Sequence, residues 1–145
     1  MTRVFVGGVL GLFVGAGIAA AAGETGAPFK VIVNPSVAGR TVSRAVLAQV
    51  YLGAVERWGD GSQIAAVDLS STSPVRLSFS EQVLGKSLDA VKFQWLRRIA
   101  NGQRPPLSKA NDEDVIAFVA SQRGGVGYVS AEAPLPATVH EVNVQ

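Results

Sequence analysis

Short β-branched runs alternate along this chain with segments whose apolar residues recur three or four apart, and that alternation limits the fold more than any other feature. Lys30-Val31-Ile32-Val33 is one such run; Asn34-Pro35-Ser36 and Gly39 come after it, so it reads as a buried strand running into a loop. Ile64 to Leu69 and Val126 to Val129 read as two more strands. Between the first two, Thr41 is placed to cap a helix carrying Val42, Val46, Leu47, Val50 and Tyr51, which Gly53 and Trp58-Gly59-Asp60-Gly61 interrupt. Ser73 followed by Pro74 marks a second helix start, with the helix running toward Gly85. From Ser87, the residues Leu88, Val91, Trp95, Leu96 and Ile99 form one apolar stripe ending at Asn101-Gly102, and Lys92, Arg97 and Arg98 form the solvated face. Gly102 to Pro106 reads as a loop. Asn111 or Asp112 caps a further helix with Val115, Ile116 and Val119 inward, stopped by Gly124-Gly125, and Val139 to Val144 reads as a final edge strand. Strands separated by helices imply an α/β layer fold, a mixed sheet with helices packed on it.

Length and composition narrow the function. The 145 residues are enough for one domain. A net charge of +2, with no run of Lys and Arg interleaved with aromatics, gives no footprint for nucleic acid. With no cysteine there is no disulfide, thiolate nucleophile or cysteine-ligated zinc, and one histidine, His140, cannot build a multi-histidine metal site. No cofactor is implied. Glu81, Asp89, Glu113 and Asp114 sit at ordinary helical surface positions and His140 lies in the tail, so no catalytic constellation is legible and an enzyme is not expected.

The first residues read as an address. Arg3 supplies the positive charge, Val4 to Ile18 an apolar stretch, and Ala19 to Ala22 several Ala-x-Ala cleavage positions. The expected organisation is a signal peptide over residues 1–22, a linker over 23–29 and one domain over 30–145, located in the periplasm. The alternative is an uncleaved anchor, because Val4 to Ala22 approaches the roughly 20 residues that span a bilayer.

Three segments, taken in order, carry a resemblance. Val31-Ile32-Val33-Asn34-Pro35, then Ala48 to Gly53 with Trp58, Asp60 and Gly61, then Ala117-Phe118-Val119 through Gly124 to Val129 resemble the phosphate-binding proteins of bacterial phosphate ABC transporters. The resemblance implies one lobe of a type 2 periplasmic binding protein, a family of two-lobed clamps that do not catalyse reactions. In that family backbone NH groups at helix starts, hydroxyls and an arginine hold the anion. The family's anion loop falls here on Ser71-Thr72-Ser73-Pro74-Val75. Pro74 stands where a glycine is expected and Val75 where a hydroxyl residue is expected, which removes one NH and one OH donor. The resemblance therefore implies weak binding, or binding shared with a partner.

The residues themselves fit that picture at one place. A helix start attracts anions because its first NH groups are unpaired and its dipole end is positive. Ser71, Thr72 and Ser73 lead into one, and Arg76 lies in its first turn. The competing reading makes Ser73 a plain cap and Arg76 a surface residue. Thr41 and Ser43, beside Arg40, are secondary candidates for the same cleft, for which capping is the competing account. The expected partners are a small phosphate-like oxyanion, an ABC transporter or other envelope protein, or a second copy of the chain completing the clamp. The rival class is an accessory protein of the envelope that has lost its ligand.

Overall fold

The computed structural model describes residues 28–145, so the expected signal peptide and all but the last residues of the linker lie outside them. The elements run in the order β1 (Phe29–Val33), β2 (Thr41–Val42), α1 (Arg44–Tyr51), β3 (Ala65–Leu69), α2 (Pro74–Phe79), a π-helical turn (Ser80–Leu84), α3 (Leu88–Ala100), β4 (Leu107–Lys109), α4 (Asp112–Ser121), β5 (Gly125–Ser130) and β6 (His140–Val144). The strands form one mixed sheet in the order β2-β6-β1-β5-β3-β4. β1 runs antiparallel to both β5 and β6, whereas β3 runs parallel to β5 and β4. This is the α/β architecture the residue pattern implies, a mixed sheet flanked by helices.

The two faces of the sheet are packed differently. On one, Val115 and Val119 of α4 close directly onto Gly127 of β5, where a Cβ would come within 2.8 Å of Val115 and Val67 and 3.0 Å of Val119. Gly127 is therefore a close-approach glycine that lets α4 lie flat on the sheet. On the other face, α1 and α2 cover an aromatic cluster. Phe79 stacks on Tyr128 at 3.8 Å, and both Phe29 and Tyr51 meet Phe79 edge-on at 5.4 and 4.8 Å. Such pairs add about 0.5–1.5 kcal/mol each beyond the area they bury. Two tryptophans tie loops to this frame: Trp95 Nε1 donates to Tyr51 O at 3.0 Å, and Trp58 Nε1 donates to Gly124 O at 2.9 Å.

Several expectations are corrected. Thr41 does not cap α1; it pairs with Asn143 in the short strand β2, and Ser43 is the cap, accepting from Val46 N at 3.1 Å. Val42 goes into β2 with it. The final strand is internal, not an edge, because β2 covers its outer side. Residues 107–109, next to the expected loop, form a sixth strand, β4, beside β3. The α3 stripe is buried only at Val91 and Trp95: Leu96 is 56% and Ile99 48% exposed. Arg98, expected on the solvated face, instead donates to Gly53 O at 3.2 Å and Gln103 Oε1 at 2.9 Å.

Candidate functional site at the β3–α2 turn

β3 is parallel to β5, so the carboxyl end of β3 comes to the same sheet edge as the end of β5 and the start of β1, which is paired antiparallel to β5. In open α/β sheets this edge is where ligands bind, because helix starts point into it. The chain leaves β3 at Leu69 and turns through Ser70 to Ser73 into α2. The turn is built by its own hydroxyls and the neighbouring strand. Ser70 N donates to Lys109 O at 2.9 Å, Ser73 N to Ser70 O at 2.9 Å, and the Ser70 and Thr72 hydroxyls are 3.0 Å apart. Pro74 at the first helical position presets φ and brings no NH.

Ser73 occupies the cap position but its hydroxyl makes no cap bond, whereas Ser43, Ser87 and Asn111 each accept from the expected backbone NH of their own helices. The Ser73 hydroxyl and the opening turn of α2 are thus uncommitted. Ser71 and Thr72 are exposed beside it, and Ser73 is half-buried.

Arg76 is placed otherwise than expected. It is 8% exposed, and its Nε lies 3.0 Å from Asp68 Oδ1. The guanidinium therefore turns back toward β3 and is neutralised there; it is not an open cation at the turn. Asp68 Oδ1 also accepts from Leu69 N at 2.9 Å and from the Tyr128 hydroxyl. Burial pushes the Asp68 carboxyl above its ordinary value, opposed by the nearby Arg76 charge and by the bonds from Tyr128 and Leu69. Burial likewise raises Tyr128 and Tyr51, and the Tyr51 hydroxyl is spent on Val67 O at 2.8 Å. Arg76 Nη1 is buried with no partner among the described residues.

The sequence reading missed Asp68 and Tyr128. A signal was there: an acid inside the apolar run Ile64 to Leu69 must be paired if its strand is buried, and Arg76 stands eight residues later. Thr41 and Ser43 are not brought to Ser71–Ser73. β2 is separated from β3 by β6, β1 and β5, about 19 Å across the sheet at the usual strand spacing. Thr41 and Ser43 line a different concavity of about 230 Å³, with Val33, Val37 and Trp58. Another of about 410 Å³ lies between Gly53–Glu56 and Gly102–Leu107, and neither touches Ser71–Ser73. No described residues form a group of three or more His, Asp or Glu side chains able to hold a metal ion.

A single α/β lobe with helix starts gathered at the strand ends defines a class of architecture, and solved structures share it. The chain superposes on an ABC-type phosphate transport receptor from Vibrio cholerae (TM-score 0.61, 18% identity) and on PstS from Borrelia burgdorferi (TM-score 0.65, 14% identity). A possible phosphate binding protein from Planctomyces limnophilus matches similarly (TM-score 0.61, 16% identity). Each match covers 81% of this chain but 46%, 47% and 41% of the respective partner, so the chain spans less than half the length of these proteins. At such identities the likeness is one of fold: this is the fold of one binding-protein lobe. No protein-family model matches the sequence, and no curated protein matches it.

Proposed function

We propose that this chain is a non-catalytic binding module, exported to the periplasm by its N-terminal leader, whose single lobe takes phosphate or a similar oxyanion weakly or jointly with a partner such as an ABC transporter. The observation that carries the reading is the uncapped start of α2 in a fold shared with phosphate-binding proteins. Ser71, Thr72 and Ser73 would supply hydroxyls, and the opening turn of α2 the positive end of a helix. Arg76 would act from behind, by holding Asp68, rather than by touching the anion. Affinity would be low, because one lobe leaves the ligand facing water, whereas binding sites bury most of a ligand's surface.

Calorimetric titration with phosphate, sulfate and molybdate tests this. Dissociation constants in the millimolar range are expected, and Ser73→Ala should weaken binding about tenfold if one charge-assisted hydrogen bond is lost. Absence of heat at millimolar anion, or binding that Ser73→Ala and Thr72→Ala leave unchanged, would count against the proposal.

A further inference from the structure

α3 packs on the domain through Val91 and Trp95, and its opposite side is apolar as well. At 100° per residue Phe93, 62% exposed, points about 180° from the mid-direction of Val91 and Trp95, and Leu96, 56% exposed, lies about 120° from it and about 60° from Phe93. Phe93 and Leu96 on the outer face of α3 leave that face without a partner among the described residues.

The charges around the face say what kind of partner fits. Lys92 and Arg97 lie on either side of Phe93 and Leu96, and Arg104 is exposed just beyond the helix. None of these cations makes a salt bridge: Arg76–Asp68 is the one ion pair among the described residues. Arg97 instead stands over the Phe93 ring, 5.3 Å from its centroid, so an uncompensated guanidinium is held at the edge of the apolar patch. Asp89, in the first turn, is the one acid of the helix.

We infer that this face of α3 docks the domain onto a membrane surface bearing anionic phospholipids. Exposed Phe and Leu flanked by long cationic side chains are the composition of a helix lying in the headgroup region: the rings and branched chains enter the acyl boundary, while Lys and Arg stems extend back to lipid phosphates. An acidic protein partner would satisfy the cations too. It would not by itself call for Phe93 and Leu96 to stand exposed side by side between those cations.

The test is vesicle co-sedimentation of the protein as the cell processes it, with vesicles of phosphatidylcholine alone and of phosphatidylcholine with phosphatidylglycerol. Binding is expected only to the anionic vesicles and should fall as salt is raised. Reversing both Lys92 and Arg97 to Glu should lower the partition at least tenfold, given the usual contribution of each basic residue near such a surface. Phe93→Ser with Leu96→Ser should also release the protein; both sites are exposed, so circular dichroism and the unfolding midpoint should stay at parent values. Equal binding to both vesicle types, or binding that survives all four substitutions because another part of the chain carries it, would overturn the inference. So would an absence of binding to either vesicle type, the result expected if this face takes an acidic protein instead.

Discussion

Asp68→Asn is the sharpest perturbation the fold offers. It removes the carboxylate that neutralises Arg76, a residue 8% exposed whose Nη1 already lacks a partner. Breaking one side of a buried ion pair costs about 3–5 kcal/mol, because the remaining charge is left uncompensated in a poor solvent. Asp68 keeps 15% of its side chain accessible, so the lower end, about 3 kcal/mol, applies. In urea, with a slope near 1.5 kcal/mol per molar for a domain of this size, the midpoint should fall by about 2 M. Combining it with Arg76→Met should recover most of that loss, since an apolar side chain in the guanidinium's place needs no counter-charge. The interaction energy of the double-mutant cycle should then exceed about 1.5 kcal/mol. If Asp68→Asn shifts the midpoint by less than about 0.3 M, or the two losses simply add, the guanidinium reaches water and does not depend on Asp68 for its charge balance.

Proton titration should separate two aspartates. Asp68, raised mainly by desolvation, should titrate above the usual aspartate range when its carboxyl carbon is followed by NMR, and Asp60, lowered by the Ser62 hydroxyl and NH, below it. The Asp60 shift bears on stability, because the folded state holds that proton less tightly than the unfolded chain. Asp60's contribution is present at neutral pH and lost in acid. An Asp68 resonance titrating at or below the usual value would reverse this assignment. Gly124→Ala should destabilise more than Gly127→Ala in thermal melts. At Gly124, φ is +73° and a Cβ would stand 2.1 Å from Gln63 O, a backbone atom. At Gly127 it meets valine methyls at 2.8 Å, an overpacking that costs about 1–3 kcal/mol. The reverse order would mean that the backbone at Gln63 yields more readily than the α4 interface.

The sequence carried the layers of this fold better than its edges. β1, β3 and β5 were legible because they are internal or nearly so, and their β-branched runs are the direct consequence of burial. β2 and β4 were not, for they have two and three residues, and at that length pairing is decided by neighbours, not by local pattern. The helix starts at Ser87 and Asn111 were readable from side chains that do cap, and the same logic slipped at Thr41 by two residues. α3 misled for a different reason. Periodicity identifies apolar residues that share a helix but not which side meets the core, and of the stripe from Leu88 to Ile99 only Val91 and Trp95 are buried.

At the β3–α2 turn the two kinds of information meet. Local chemistry correctly placed Ser73 and Pro74 at a helix start, because cap and proline preferences act within one turn. The orientation of Arg76 depends on Asp68, eight residues earlier on another element, and on the Tyr128 hydroxyl that shares the same carboxylate oxygen. Once that carboxylate is present the guanidinium gains more by turning inward than by facing water, since leaving a largely buried carboxylate without a counter-charge would cost several kcal/mol. The pair then contributes little net charge to the turn, and any attraction for an anion must come from the open backbone and hydroxyl dipoles at Ser71–Ser73. Dipoles of that kind act over a single turn and are weakened by water on the open side of the lobe, which is why the expected affinity is low and why a partner that covers the turn should raise it.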